Sequence, residues 1–150
     1  MKYFFEIKEN EKALKRILDE WLDTPFRHHC GVKGKGTDCI HFPARVFEEL
    51  GKLKWRKDII PEYAKDWHLH RTEERLMNGI LKELKVEKVN FSDLMNGDII
   101  LFQYGRASAH ASIYYDKHTY QAINGIGVKR IAITDQDFKK RMKYAFRLLI

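Results

Sequence analysis

The chain has 150 residues, 44% of them hydrophobic and 33% charged, with a net charge of +7. The length favours one domain, residues 1–150, with one sizeable core, and the composition is that of a soluble globular chain rather than a disordered one. The positive charge is scattered through KALKR, KGK, KLKWRK, KELKVEK and KKRMK, with no RNP-like stretch or C2H2 pattern, so it reads as solvated surface with a weak preference for anionic partners rather than as a nucleic-acid interface.

The first residues, MKYFFEIKENEK, hold too short an apolar stretch for a secretory signal, and Glu6 interrupts it. No run approaches the ~18 apolar residues of a membrane span. The chain is therefore expected to stay in the cytoplasm where it is made unless another factor exports it. Residues 10–22 carry Leu14, Ile17, Leu18 and Trp21 on one helical face, with Asn10 placed to cap the start. Residues 24–38 form a polar, glycine-bearing loop. A second helix is predicted over 39–50, with Asp38 or Thr37 as N-cap and Gly51 just past its end. Pro43 breaks the pattern, because at the fifth helical position it removes a backbone bond.

Residues 52–71 read as an irregular segment rich in Trp, Tyr and His, and a third helix is predicted over 72–85. Asn96-Gly97 marks a turn, after which the period changes to two. Residues 99–104, 110–115, 119–123, 128–133 and 144–149 read as strands, and 135–142 as a short helix. Helices followed by consecutive strands argue for an α+β fold with a mostly antiparallel sheet.

The cysteines, Cys30 and Cys39, make no disulfide framework and no zinc-ribbon spacing. By position alone, Cys39 is either a small buried apolar residue or a thiol placed for chemistry. A helix N-terminus favours thiolate, and a thiolate nucleophile needs a base that is itself held in place. His110 opens the strand HASIYY behind the small-residue loop GRASA. Counting back from a turn near residue 117 sets it opposite positions 121–123, where Gln121 is the polar residue. The predicted order is Cys39 as nucleophile, His110 as base and Gln121 as orienter, with Asn124 assigned to a turn. His28-His29 and His68-Leu69-His70 have no supporting ligand at a suitable spacing except Cys30, so neither a metal nor a cofactor is expected.

Thr37-Asp38-Cys39, Asn96-Gly97-Asp98, His110-Ala111-Ser112-Ile113-Tyr114 and Gln121-Ala122 with Gly127-Val128 fall in an order that resembles the NlpC/P60 family of papain-like cysteine peptidases, nearest to its short phage and prophage members. The resemblance covers residues 10–133. It implies a papain-like fold with the nucleophile at a helix N-terminus against a five- or six-stranded sheet. It further implies a substrate cleft touched by Asp38, Phe26, Ser108 and Ala109. The implied activity is hydrolysis of amide bonds in peptidoglycan stem peptides, between D-glutamyl and a diamino acid. The implied partners are those wall peptides and phage tail proteins, with action at the wall after lysis or from a virion. Two alternatives stay open: a degenerate wall-binding or tail module, and an amidase or acyltransferase on the same scaffold. The chain departs from the family where Phe26 replaces a loop tyrosine (Tyr3, Tyr63 and Tyr104 are the candidates to replace its hydroxyl), where Ile40-His41 follow the cysteine, and where Gln121 replaces a histidine.

Overall fold

The computed structural model of the chain describes residues 1–62 and 74–150. Tyr63, Trp67, His68, His70 and the start of the third predicted helix lie outside the described residues. Helix α1 (Lys8–Trp21) buries Leu14, Ile17, Leu18 and Trp21, the face that its apolar spacing predicts. It starts two residues earlier than expected. Asn10 is thus inside the first turn rather than at the cap, and its side-chain amide donates to the Phe4 carbonyl at 3.0 Å.

The loop that follows is more ordered than its polarity suggests. It folds into a small hairpin, β1 (Gly31–Val32) and β2 (Gly36–Thr37), turning at Gly34 with φ +76°. Phe26 bridges Thr37, and the Arg27 and Thr37 backbone N–H groups donate across that bridge. The chain then enters α2 (His41–Glu49), two residues later than predicted.

Helix α3 (Arg75–Glu83) precedes the sheet. Its strands are β3 (Val86–Lys88), β4 (Ile99–Tyr104), β5 (Ala107–Tyr115), β6 (His118–Ile123), β7 (Gly127–Ala132) and β8 (Met142–Leu148), with a one-turn helix, α4 (Gln136–Lys139), between the last two. The spatial order is β3-β8-β4-β5-β6-β7, and every neighbouring pair is antiparallel. The predicted strands all form, and the sheet gains β3 at one edge. The Asn96-Gly97 turn forms with φ +94° at Gly97, where a Cβ would also collide with the Phe5 ring.

Helices α1 and α2 cover one face of the sheet. Trp21, Phe42, Val46 and Phe47 pack there with Ile99, Leu101, Ala111, Ile113 and Tyr120. On the other face Ile100, Phe102 and Ala145 are buried beneath Phe138 and Met142. Each large side chain sealed in this way contributes about 1.5–3 kcal/mol of transfer free energy. Strand β4 is therefore apolar on both faces and β5 is held rigidly beside it. No helix among the described residues is long and apolar enough to cross a membrane.

Candidate active site

Cys39 occupies the turn between β2 and α2. Asp38 builds that turn. Its Oδ1 accepts from the backbone N–H of Ile40 at 3.1 Å and of His41 at 2.7 Å, and its Oδ2 accepts from the His29 N–H at 2.7 Å. Functionally Asp38 is an N-cap, which makes Cys39 the first residue of the helical turn even though regular helix begins at His41. Burial works against the Asp38 carboxylate, but the His41 imidazole and these N–H donors outweigh it and hold its pKa below the ordinary value.

Pro43 falls in the first turn of α2. The bond it cannot make is the one to the Cys39 carbonyl, and the next bond, from the Ala44 N–H to the Ile40 carbonyl, is stretched to 3.4 Å. The break in the helical pattern thus loosens the backbone directly beneath the thiol.

His110 stands on β5 beside an irregularity in the β4–β5 ladder. Phe102 pairs with His110 and Gln103 pairs with Ser108, so Ala109 is the extra, unpaired residue. Such a bulge turns a peptide group out of the ladder. Here the Ala109 carbonyl accepts the Cys39 thiol at 3.5 Å. The small-residue segment predicted as a loop is in fact this bulged opening of β5.

The His110 ring is walled by Phe102, Tyr104 and Phe138, with centroids 5.6, 5.8 and 6.2 Å away. Burial pushes its pKa from 6.5 to about 4, against a smaller upward pull from Gln121. Gln121 is fully buried on β6. Its Oε1 lies 2.8 Å from His110 Nε2, and its Nε2 donates to Thr119 Oγ1 at 2.7 Å. Thr119 in turn donates to the Ile131 carbonyl at 3.4 Å. This relay fixes the amide orientation, so Oε1 must accept from a protonated Nε2. The lone pair of His110 is then on Nδ1.

The hairpin that sets this geometry has a two-residue turn, Asp116-Lys117, with φ 48° and 62°. Tyr115 pairs with His118 and Ile113 with Tyr120, which brings Gln121 within reach of His110 as the count from residue 117 predicts. The thiol is likewise held uncharged at rest. Burial and then the Asp38 charge push Cys39 up to about 12, while the backbone N–H groups of Ala111 and of Cys39 itself pull the other way. Both shifts favour the uncharged forms, thiol and imidazole.

The predicted cleft residues divide. The Ala109 carbonyl meets the thiol, and Phe26 packs partly buried against the core. Asp38 is committed to the turn. Ser108 is fully buried and donates its hydroxyl and its N–H to Glu74, which is paired with Lys143 at 2.6 Å. Glu74 and Thr119 were missed in the sequence. Thr119 had a usable signal, since it lies two residues before Gln121 on one strand face, whereas Glu74 had none. Of the tyrosines weighed against Phe26, Tyr104 is at the site, and Tyr3 sits at the far edge against Arg147.

The NlpC/P60 family profile matches residues 23–147. The murein DD-endopeptidase MepS/murein LD-carboxypeptidase of Escherichia coli K12 is 27% identical over 149 residues, covering 97% of this chain and 69% of that protein. An NLP/P60 family protein similar to a lipoprotein, from Staphylococcus aureus, superposes with a TM-score of 0.65 at 16% identity, over 95% of this chain and 42% of that one. The chain thus spans less than half of that protein. The NlpC/p60 domain of the peptidoglycan hydrolase SagA superposes with a TM-score of 0.59 at 16% identity, over 90% of this chain and 96% of that domain. These superpositions share the α+β, papain-like architecture described above. With five-sixths of its length inside the family profile, the chain belongs to the NlpC/P60 family.

Proposed function

We propose that this chain is a cysteine peptidase that cleaves amide bonds in the stem peptides of bacterial peptidoglycan, acting as one catalytic domain over residues 1–150. The observation that carries the reading is a hydrogen-bonded chain on the strands beside the thiol: Thr119 holds Gln121, Gln121 holds His110 Nε2, and the Cys39 thiol meets the carbonyl of the neighbouring Ala109. Cys39 gives its proton to His110 Nδ1, and the sulfur bonds to the substrate carbonyl carbon. The Cys39 backbone N–H helps hold the oxyanion, a kind of contact worth roughly 3 kcal/mol of barrier. His110 returns the proton to the leaving amine. Water, activated by the same imidazole, then hydrolyses the thioester.

The E. coli relative is named for cleavage of murein, and SagA for hydrolysis of peptidoglycan. The net charge of +7 suits an anionic polymer. The finer assignment is the bond between D-glutamyl and a diamino acid within one stem. Purified protein incubated with defined muropeptides, with products weighed by mass spectrometry, tests it. Cleavage within the stem supports the bond assignment, and cleavage only at cross-links replaces it with a DD-endopeptidase. Products that are identical for the wild type and Cys39→Ala overturn the nucleophile. The raised thiol favours one second reading, a wall-binding module without turnover. Retention on intact sacculi with no released peptide from the wild type establishes that reading instead.

A further inference from the structure

The histidine pair His28-His29 carries no ligand set in the sequence, but folding adds two residues to His29. We propose that His29, Asp38 and His41 form a binding site for a first-row divalent cation of the Zn2+ type, beside the turn that carries the thiol. Their ligand-capable atoms all lie within 4.8 Å of one another. The His29 and His41 rings meet edge to face with centroids 4.9 Å apart. Asp38 is 1% exposed and His41 is 6% exposed, so two of the three donors are held in place by the core.

The donor chemistry suits such an ion. Imidazole nitrogen and carboxylate oxygen are borderline ligands that zinc takes at about 2.0–2.2 Å. A four-coordinate ion needs its donors roughly 3.4 Å apart, so the cluster contracts by modest side-chain rotation on binding. His41 Nδ1 lies 2.9 Å from Asp38 Oδ1. That contact sets the route: the metal replaces the shared proton, so that His41 Nδ1 and the Asp38 carboxylate both ligate it.

His29 is brought to the cluster at a cost. Its φ of 55° is left-handed, a conformation that non-glycine residues seldom adopt, and Asp38 Oδ2 holds it there through the backbone N–H. A helix cap requires the carboxylate alone. It does not require two imidazoles turned toward the same carboxylate. His29 and His41 line a cavity of about 320 Å³ together with Cys30, Trp55 and Asp58, from which water would supply the fourth ligand.

Two features oppose a cation here. The start of α2 is the positive end of its dipole. Arg45 also lines the cavity, but its guanidinium is bound to the Gly31 carbonyl and Glu48 and stacks 3.4 Å over Trp55. Direct bonds from two imidazoles and a buried carboxylate outweigh both. The Cys39 thiol faces the Ala109 carbonyl while His41 faces His29 and Trp55, so the thiol is not among the ion's ligands.

The test uses the tag-free full chain, Co2+ as a spectroscopic probe, and Zn2+ in calorimetry. One equivalent of Co2+ should give the intense visible bands of a low-coordinate site in wild type and equally in Cys39→Ala. His29→Ala and His41→Ala should each bind Zn2+ at least tenfold more weakly, and His28→Ala should bind as wild type does. If His41→Ala fails to fold, His29→Gln decides alone, because its ring is at the cavity rather than in the core. Zn2+ should raise the melting temperature of Cys39→Ala but not of His29→Ala. Absence of saturable binding, equal binding by His29→Ala, loss of binding in Cys39→Ala, or loss only in Cys30→Ser each overturns the proposal.

Discussion

At the residue scale, the proposed reaction rests on two groups, Cys39 and His110, and burial favours the neutral form of each. His110 is displaced from 6.5 to about 4 by its aromatic walls, so folding favours its neutral form. Between those values the unfolded chain binds the extra proton. The contribution to stability is complete above pH 6.5 and is lost as pH falls through 4. The difference amounts to about 3 kcal/mol at most. Urea denaturation of wild type and His110→Asn at pH 7 and pH 4.5 should show a steeper loss in the wild type. Parallel slopes would mean that the ring is solvated. Kinetics separate the ring from its holder. His110→Ala should lower kcat/KM by about 10²- to 10⁴-fold, the usual worth of a general base. Gln121→Ala should lose less, because Nδ1 remains available in a fraction of ring orientations, and Gln121→Asn should not recover fully because its shorter side chain falls short of Nε2. Equal wild-type rates for His110→Ala and Gln121→Ala sink the assignment. This part of the site was legible in the sequence because a tight hairpin leaves little freedom of register: once the turn is placed at Asp116-Lys117, Gln121 falls on the strand face of His110, one pair away and within hydrogen-bond reach.

At the element scale, the start of α2 is where sequence and structure differ most usefully. Asp-Cys before an apolar run predicts a capped helix, and the cap is present. Regular helix nevertheless begins at His41, because the Cys39 carbonyl loses its partner at Pro43. His41 looked like an intrusion after the nucleophile. It is instead a buried partner of the capping carboxylate. No periodicity reveals this, since His29 reaches the cluster through a left-handed loop residue and not through a helix or strand. Asp38→Ala removes the acceptor of three N–H groups, that of His41 buried and those of His29 and Ile40 partly so, and the partner of an imidazole. The expected cost is at least about 2 kcal/mol, the sum of a lost cap and unmet buried donors. Asp38→Asn keeps one carbonyl acceptor and should lose less. Denaturant midpoints measure both, and equal midpoints for Asp38→Ala and wild type would show that water replaces the carboxylate without penalty.

Across the whole molecule, the strand order departs from chain order. Period-two patterns reveal strands but not their neighbours, so the return of β8 between β3 and β4 had no sequence signature, and β3 is too short to show a period. What secures that insertion is a pair of residues 49 apart in sequence. Arg147 on β8 donates through Nε and Nη2 to the two carboxylate oxygens of Asp98, each at 2.9 Å, and Asp98 also accepts from the Met95 N–H at 2.8 Å. Asp98 is fully buried and Arg147 is 5% exposed, so water cannot substitute for either partner. The Asp of the Asn96-Gly97-Asp98 turn thus joins the turn to the central strands. Arg147→Met leaves a buried carboxylate facing a thioether and should cost about 3–5 kcal/mol. Asp98→Leu leaves a buried guanidinium and should cost a similar amount. Buried pairs recover little of their desolvation, so the combined Asp98→Leu/Arg147→Met variant should regain most of what either single change loses. Urea midpoints at constant m-value measure this cycle. If the double variant is as unstable as the sum of the singles, the pair acts as two independent anchors, to the turn and to the Asp93 carbonyl, rather than as one cross-strand pin. Arg147 lies at the Tyr3 edge of the sheet, away from Cys39 and His110. Each variant that remains folded at the assay temperature should therefore keep wild-type kcat on muropeptides, which separates holding the sheet together from positioning the dyad.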